Sequence, residues 1–158
     1  MPNDLNGLPL HPLIVHATVV LVPMAALLVL VSALVPRFRR WSGPLPLIAS
    51  VIGLVLVPLS TSTGETLERH VAHSALLEKH TQLADGLLPW MIALTVVAAA
   101  LYAVHWRGTR GGPVMRALSV VVTLLVIVAS TGTAVQVVRI GHSGAKAAWS
   151  HVDMSTAP

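Results

Sequence analysis

His11-Pro12-Leu13-Ile14-Val15-His16 opens an uncharged run that continues to Val35 and stops at Arg37, Arg39 and Arg40. A helix over residues 12–35 is long enough to cross about 30 Å of hydrocarbon. Pro12 suits a first helical turn, where its missing N–H has no partner to lose. Pro23 falls mid-span and is expected to bend the helix. A secretory leader would need a positive segment ahead of a shorter apolar core. The lead here carries Asp4 and no basic residue, so the run reads as a retained span.

Three further apolar runs cover residues 44–64, 86–105 and 115–140. Charged residues make up only 10% of the 158, against 54% hydrophobic, and the mean hydropathy is +0.78. A water-facing surface normally draws on about 25% charged residues. The chain therefore reads as a single integral membrane domain over residues 1–158, all-α, a four-helix transmembrane bundle in the lipid bilayer. There is no cysteine, which excludes disulfides, thiolate metal sites, iron–sulfur clusters and c-type haem attachment. The net charge of +4 does not point to nucleic acid, because the basic residues are split between short loops and form no stripe with interleaved aromatics.

Orientation follows from the loops. Arg37, Arg39 and Arg40 lie between spans one and two, and Arg107, Arg110 and Arg116 between spans three and four. The positive-inside rule puts these six on the cytoplasmic side of a cell inner (plasma) membrane. All the acids (Asp4, Glu65, Glu68, Glu78, Asp85 and Asp153) then fall on the outer side with both termini. Trp41, Trp90, Trp106 and Trp149 sit near span ends, as an aromatic belt predicts.

Between spans two and three, His73, Leu76, Leu77, His80 and Ala84 recur on one helical face. This predicts a short amphipathic outer helix, or an extension of a neighbouring span, laid against the bundle or the interface. An internal echo joins Ser62-Thr63-Gly64 at the end of span two to Ser130-Thr131-Gly132 in span four; each is followed by a basic residue and a histidine. Two duplicated hairpins would produce it, although small residues are also common wherever membrane helices touch.

Seven of the eight histidines (His11, His16, His70, His73, His80, His142 and His151) fall on the outer side, and His105 on the inner. His16 lies one turn inside span one, where an ionisable residue is expected to face the bundle interior or a cavity. Residues 11 and 16 differ by about 140° around an ideal helix, so the two rings would diverge if both were helical. His11 precedes Pro12 and is biased out of the helical region, which would let it fold back. His80, before span three, and His142, in Arg139-Ile140-Gly141-His142-Ser143-Gly144, are the natural partners from the other segments. The glycines flanking His142 permit close approach of a helix or a flat ligand.

The Leu10-His11-Pro12-Leu13-Ile14-Val15-His16 opening, His80 ahead of a glycine-led span and the Gly141-His142-Ser143-Gly144 ending resemble the bacterial DUF2231 family over nearly the whole chain. The resemblance implies a small four-span membrane bundle with His11, His16, His80 and His142 at the family's motif positions. Some relatives look fused to Rieske-type iron–sulfur domains, which implies redox traffic near the membrane and reaches this chain by association only.

Three functions compete. Two axial histidines from facing helices would hold haem b, carrying electrons between a quinol or another membrane redox partner and an outer acceptor. Three or four of His11, His16, His80 and His142, with Glu65, Glu68 or Glu78 in support, would instead hold zinc or copper. His70 and His73 fit that metal reading better than haem and otherwise read as solvated loop residues. The third reading is a non-catalytic scaffold or accessory subunit whose histidines cap helices and bond across the bundle. No carboxylate–His–Ser order or nucleophile elbow is visible, so no catalytic residue is assigned and enzymatic activity is left open. Ion conduction fits less well, since no span carries a charge at its middle. A homo-oligomer is compatible with all three readings.

Overall fold

The structure is a computed structural model that describes residues 4–5, 8–69, 73–106 and 112–149. A two-residue antiparallel ladder, β1 (Asp4–Leu5) with β2 (Leu8–Pro9), leads into six helices: α1 (Leu10–Leu34), α2 (Pro36–Ser42), α3 (Leu45–Glu68), α4 (Ala75–Asp85), α5 (Leu87–Trp106) and α6 (Pro113–Trp149). Four segments are long and apolar enough to cross a membrane: His11–Leu34, Leu45–Glu68, Ala75–His105 and Pro113–Trp149. The predicted four-helix bundle is the fold. α1 packs on α3 and α6, and α5 packs on the same two helices. The four long helices thus form a ring in the order α1, α3, α5, α6, each antiparallel to its neighbours.

Each long helix buries one stripe at alternating spacings of three and four, the geometry of a helix–helix seam. On α1 the buried residues include Thr18, Val22, Ala25, Val29 and Ser32. On α3 they include Pro46, Ser50, Gly53 and Val57. On α5, Leu87, Met91, Leu94, Ala98 and Leu101 are buried. On α6, Val122, Val126, Ala129, Thr133 and Gln136 continue to Ser143. Many of these residues are small or hydroxylated, which lets backbones approach closely. The opposite faces are large and apolar: Val20 is 62% exposed and Val138 70%. In water that surface would associate; against lipid tails it matches its solvent.

Several expectations change. The Arg37–Arg40 segment is not a plain loop but α2, started by Pro36 after Val35 takes the extended conformation that a following proline favours. His11 is helical, in the first turn of α1, and does not fold back. α4 begins at Ala75 behind an N-cap in which Ser74 accepts from the Leu77 N–H at 3.2 Å. His73 is therefore outside the helix, and the predicted amphipathic face reduces to Leu77, His80 and Ala84. α4 runs almost directly into α5 at Gly86. Buried Gln136 of α6 donates to the Leu83 carbonyl at 2.6 Å and ties that junction to the bundle. α6 does not end near residue 140. Its 37 residues extend about 55 Å, and the surplus turns carry the Gly141–Gly144 segment alongside α4. The Trp90 ring lies on Gly132 of α6, so it fills a helix contact as well as marking a span end.

Candidate functional site

At the α4 end of the bundle, a cavity of about 500 Å³ opens between α1, α3, α4 and α6, with Leu87 of α5 at its base. Its walls are mostly apolar, including Val15, Val57, Leu77, Leu87, Val137 and Ile140; Glu65, Glu68 and Asp85 also line it. This volume, an apolar body and few polar groups are the ordinary features of a small-molecule or cofactor site.

His11 and His80 both line this cavity and lie within electrostatic reach of one another. They reach it because each continues a buried stripe. Residues 11, 15, 18 and 22 follow the α1 stripe outward, and residues 80, 84, 87 and 91 follow that of α4 and α5. His11 Nδ1 lies 3.1 Å from Thr63 Oγ1 on α3, and the Ser60 carbonyl faces the same ring. His80 Nδ1 lies 3.0 Å from Ser143 Oγ on α6. Each hydroxyl is followed by a glycine on which the ring rests. A Cβ at Gly64 would come within 3.1 Å of His11 Cε1, and one at Gly144 within 3.0 Å of His80 Cε1. The absence of a side chain at these two positions lets an imidazole lie against the helix backbone.

The hydroxyls decide the tautomers. Thr63 Oγ1 donates its one proton to the Leu59 and Ser60 carbonyls, at 2.9 and 3.0 Å. Ser143 Oγ donates to the Ile140 carbonyl at 2.9 Å. With that proton committed, each hydroxyl oxygen is free to accept an N–H from the imidazole Nδ1 beside it. A neutral imidazole held this way carries its lone pair on Nε2. Both rings line one cavity.

The other two motif histidines are placed differently. His16 is exposed on the bundle surface, and its Nδ1–H donates to the Pro12 carbonyl of its own helix at 2.6 Å. The expectation that it faces the interior is corrected: residue 16 lies off the stripe that carries His11. His142 is also exposed, while its neighbour Ser143 is buried and takes the inward place. His73 is exposed, and His105 donates to the Leu101 carbonyl at 2.7 Å at the opposite end of the bundle. His70, His151, Arg107, Arg110 and Asp153 lie outside the described residues. Among the described residues, no three His, Asp or Glu side chains group closely enough to hold a metal ion.

Thr63 and Ser143 are the site residues that sequence reasoning missed. The signal was a hydroxyl-glycine pair in the half of α3 and of α6 nearer its C-terminus. The echo that matters joins Thr63-Gly64 to Ser143-Gly144, each receiving a histidine from the segment that begins the same hairpin. In the Ser130-Thr131-Gly132 triplet of α6, Gly132 instead packs against Trp90 of α5.

A family model described as a predicted membrane protein (DUF2231) matches residues 7–156, and the chain belongs to that family. No curated protein and no solved structure matches it.

Proposed function

We propose that this DUF2231 membrane protein binds a haem b in the cavity at its α4 end, where His11 and His80 would hold it, and serves electron transfer in the membrane. The observation that carries the reading is a pair of imidazoles lining one cavity, each with its Nδ1 at hydrogen-bond distance from a hydroxyl. A metal-ligating histidine is typically held by a hydrogen bond at its other ring nitrogen, and Thr63 and Ser143 supply that bond here. Zinc or copper bound by side chains alone would need three or four donors, and the described residues offer no such group. A macrocycle brings four nitrogens of its own, so two imidazoles suffice. When bound, haem would supply one-electron transfer. The chain's own part is to orient the two rings, exclude water with apolar walls and set the polarity around the metal.

Quinol is the redox partner that fits the same membrane setting. In the proposed orientation the basic α2 end faces the cytoplasm and the histidine cavity faces outward, because Arg37, Arg39 and Arg40 cluster at one end. Glu65 and Glu68 along the cavity wall are then available as proton acceptors on the outer side.

The scaffold reading is favoured by a specific feature of the same bonds: they tie α1 to α3 and α4 to α6 whether or not a ligand is present. Haem-replete expression, purification in mild detergent, pyridine haemochrome assay and elemental analysis separate the readings. About one haem iron per chain supports the proposal. Stoichiometric zinc or copper in a colourless protein replaces it with a metal site, and a colourless, metal-free protein leaves the scaffold.

A further inference from the structure

A second cavity, of about 510 Å³, lies at the other end of the bundle, where α1 ends, α2 crosses and α3 begins. Ser32, Arg39, Arg40, Pro44, Tyr102 and His105 are among its lining residues, and no carboxylate lines it among the described residues. Ser32 is 2% exposed, and its Oγ has no hydrogen-bond partner. A buried hydroxyl without a partner costs stability unless something at the site satisfies it. Arg39 is held in place by donating from Nη1 to the Ser32 carbonyl at 3.3 Å. Burial, and then the neighbouring charge of Arg40, push its pKa below the usual arginine value, a penalty that a bound anion relieves. The 24-residue helix α3 starts at the same cavity behind Pro44, with no side-chain cap. In its first turn Ile48 donates to the Pro44 carbonyl at 3.0 Å, which leaves the Leu45 and Leu47 N–H groups without intrahelical partners at the positive end of the helix dipole.

We infer that this cavity is a phosphate oxyanion site, filled by the phosphodiester of an anionic phospholipid at the leaflet where α2 sits. Two guanidinium groups, an unsatisfied buried hydroxyl and a helix N-terminus meet in one pocket without a competing carboxylate, and each is complementary to phosphate oxygens. The basic end of a membrane bundle is also where anionic headgroups concentrate. The apolar remainder of the wall (Val29, Leu47, Ala98 and Leu101) suits the glycerol and upper acyl carbons, which a free phosphate would leave uncovered.

The test uses the full chain, purified in detergent and delipidated, with native mass spectrometry as the readout. Phosphatidylglycerol, phosphatidylcholine and inorganic phosphate are titrated separately. The expected result is one phosphatidylglycerol retained in preference to phosphatidylcholine. Retention should weaken about tenfold in Arg39→Gln, the size of one lost charge-assisted bond, and less in Arg39→Lys. Ser32→Ala, which leaves the guanidinium network untouched, should weaken phosphatidylglycerol alone and serves if Arg39→Gln folds poorly. Inorganic phosphate binding with the same dependence on Arg39 and Ser32 supports the oxyanion site and assigns it to the free ion. Equal retention of the two lipids, or binding indifferent to both substitutions in every titration, overturns the inference.

Discussion

His80 Nδ1 lies 3.0 Å from Ser143 Oγ across the contact of α4 with α6, while His142, one residue earlier on α6, is exposed. One residue is about 100° of helix rotation, enough to turn the motif's histidine away from the cavity and its serine into it. On α3, Thr63 stands to His11 as Ser143 stands to His80.

The two hydroxyls should therefore matter more for stability than the histidine between the glycines. Ser143→Ala and Thr63→Val are each expected to lower the unfolding free energy in detergent by about 0.5–1.5 kcal/mol, and Thr63→Ser to retain most of it. His142→Ala should stay within about 0.5 kcal/mol of wild type. Chemical denaturation of the purified protein measures all four. A cost for His142→Ala matching that of Ser143→Ala contradicts the placement.

The glycines on either side of His142 are expected to behave oppositely. Nothing lies within 4 Å of a Cβ at Gly141, so Gly141→Ala should be neutral or stabilise the helix by up to about 1 kcal/mol. At Gly144 the His80 ring occupies the place of a side chain, and Gly144→Leu should drive it off Ser143. Nitrogen-15 NMR of labelled histidine in micelles reports the outcome. His80 should be a fixed Nδ1–H tautomer in the wild type and in the neighbouring control Gly141→Ala, and a tautomer mixture in Gly144→Leu. A fixed tautomer in Gly144→Leu would show that the glycine is not what seats the ring.

Orientation can be read by thiol labelling, because the chain has no cysteine of its own. Arg37 and His73 are exposed at opposite ends of the bundle, whereas Ser42 is buried and a poor site for a probe. In intact cells an impermeant maleimide is expected to label His73→Cys and to spare Arg37→Cys until the membrane is permeabilised. The reverse pattern would put the histidine cavity on the cytoplasmic side.

Helix number and position were legible because uncharged runs of about 20 residues admit little else in a chain so poor in charge. Helix rotation was not legible from hydrophobicity. His16 sits among Val15, Ala17, Val19 and Val20, and a helix apolar on every side has no polar face to orient it. Lipid also removes the rule that buried means apolar. The buried stripe is marked instead by small and hydroxyl residues: Thr18, Ala25 and Ser32 on α1, and Ala129, Thr133 and Ser143 on α6. Followed at spacings of three and four, those residues lead outward to His11 and Ser143 and pass by His16 and His142. α2 was missed because three arginines in seven residues read as a loop, although Pro36 and the support of α1 suffice for two turns.

His11 and His80, and not the other two motif histidines, are the pair proposed to hold a cofactor. The most direct measurement is the reduced-minus-oxidised visible spectrum of the wild type and four single variants, expressed with ample haem. A Soret band and reduced α-bands are expected in the wild type, in His16→Ala and in His142→Ala, and their loss in His11→Ala and in His80→Ala. A wild type without those bands, or bands that survive in His11→Ala and His80→Ala, would contradict the proposal.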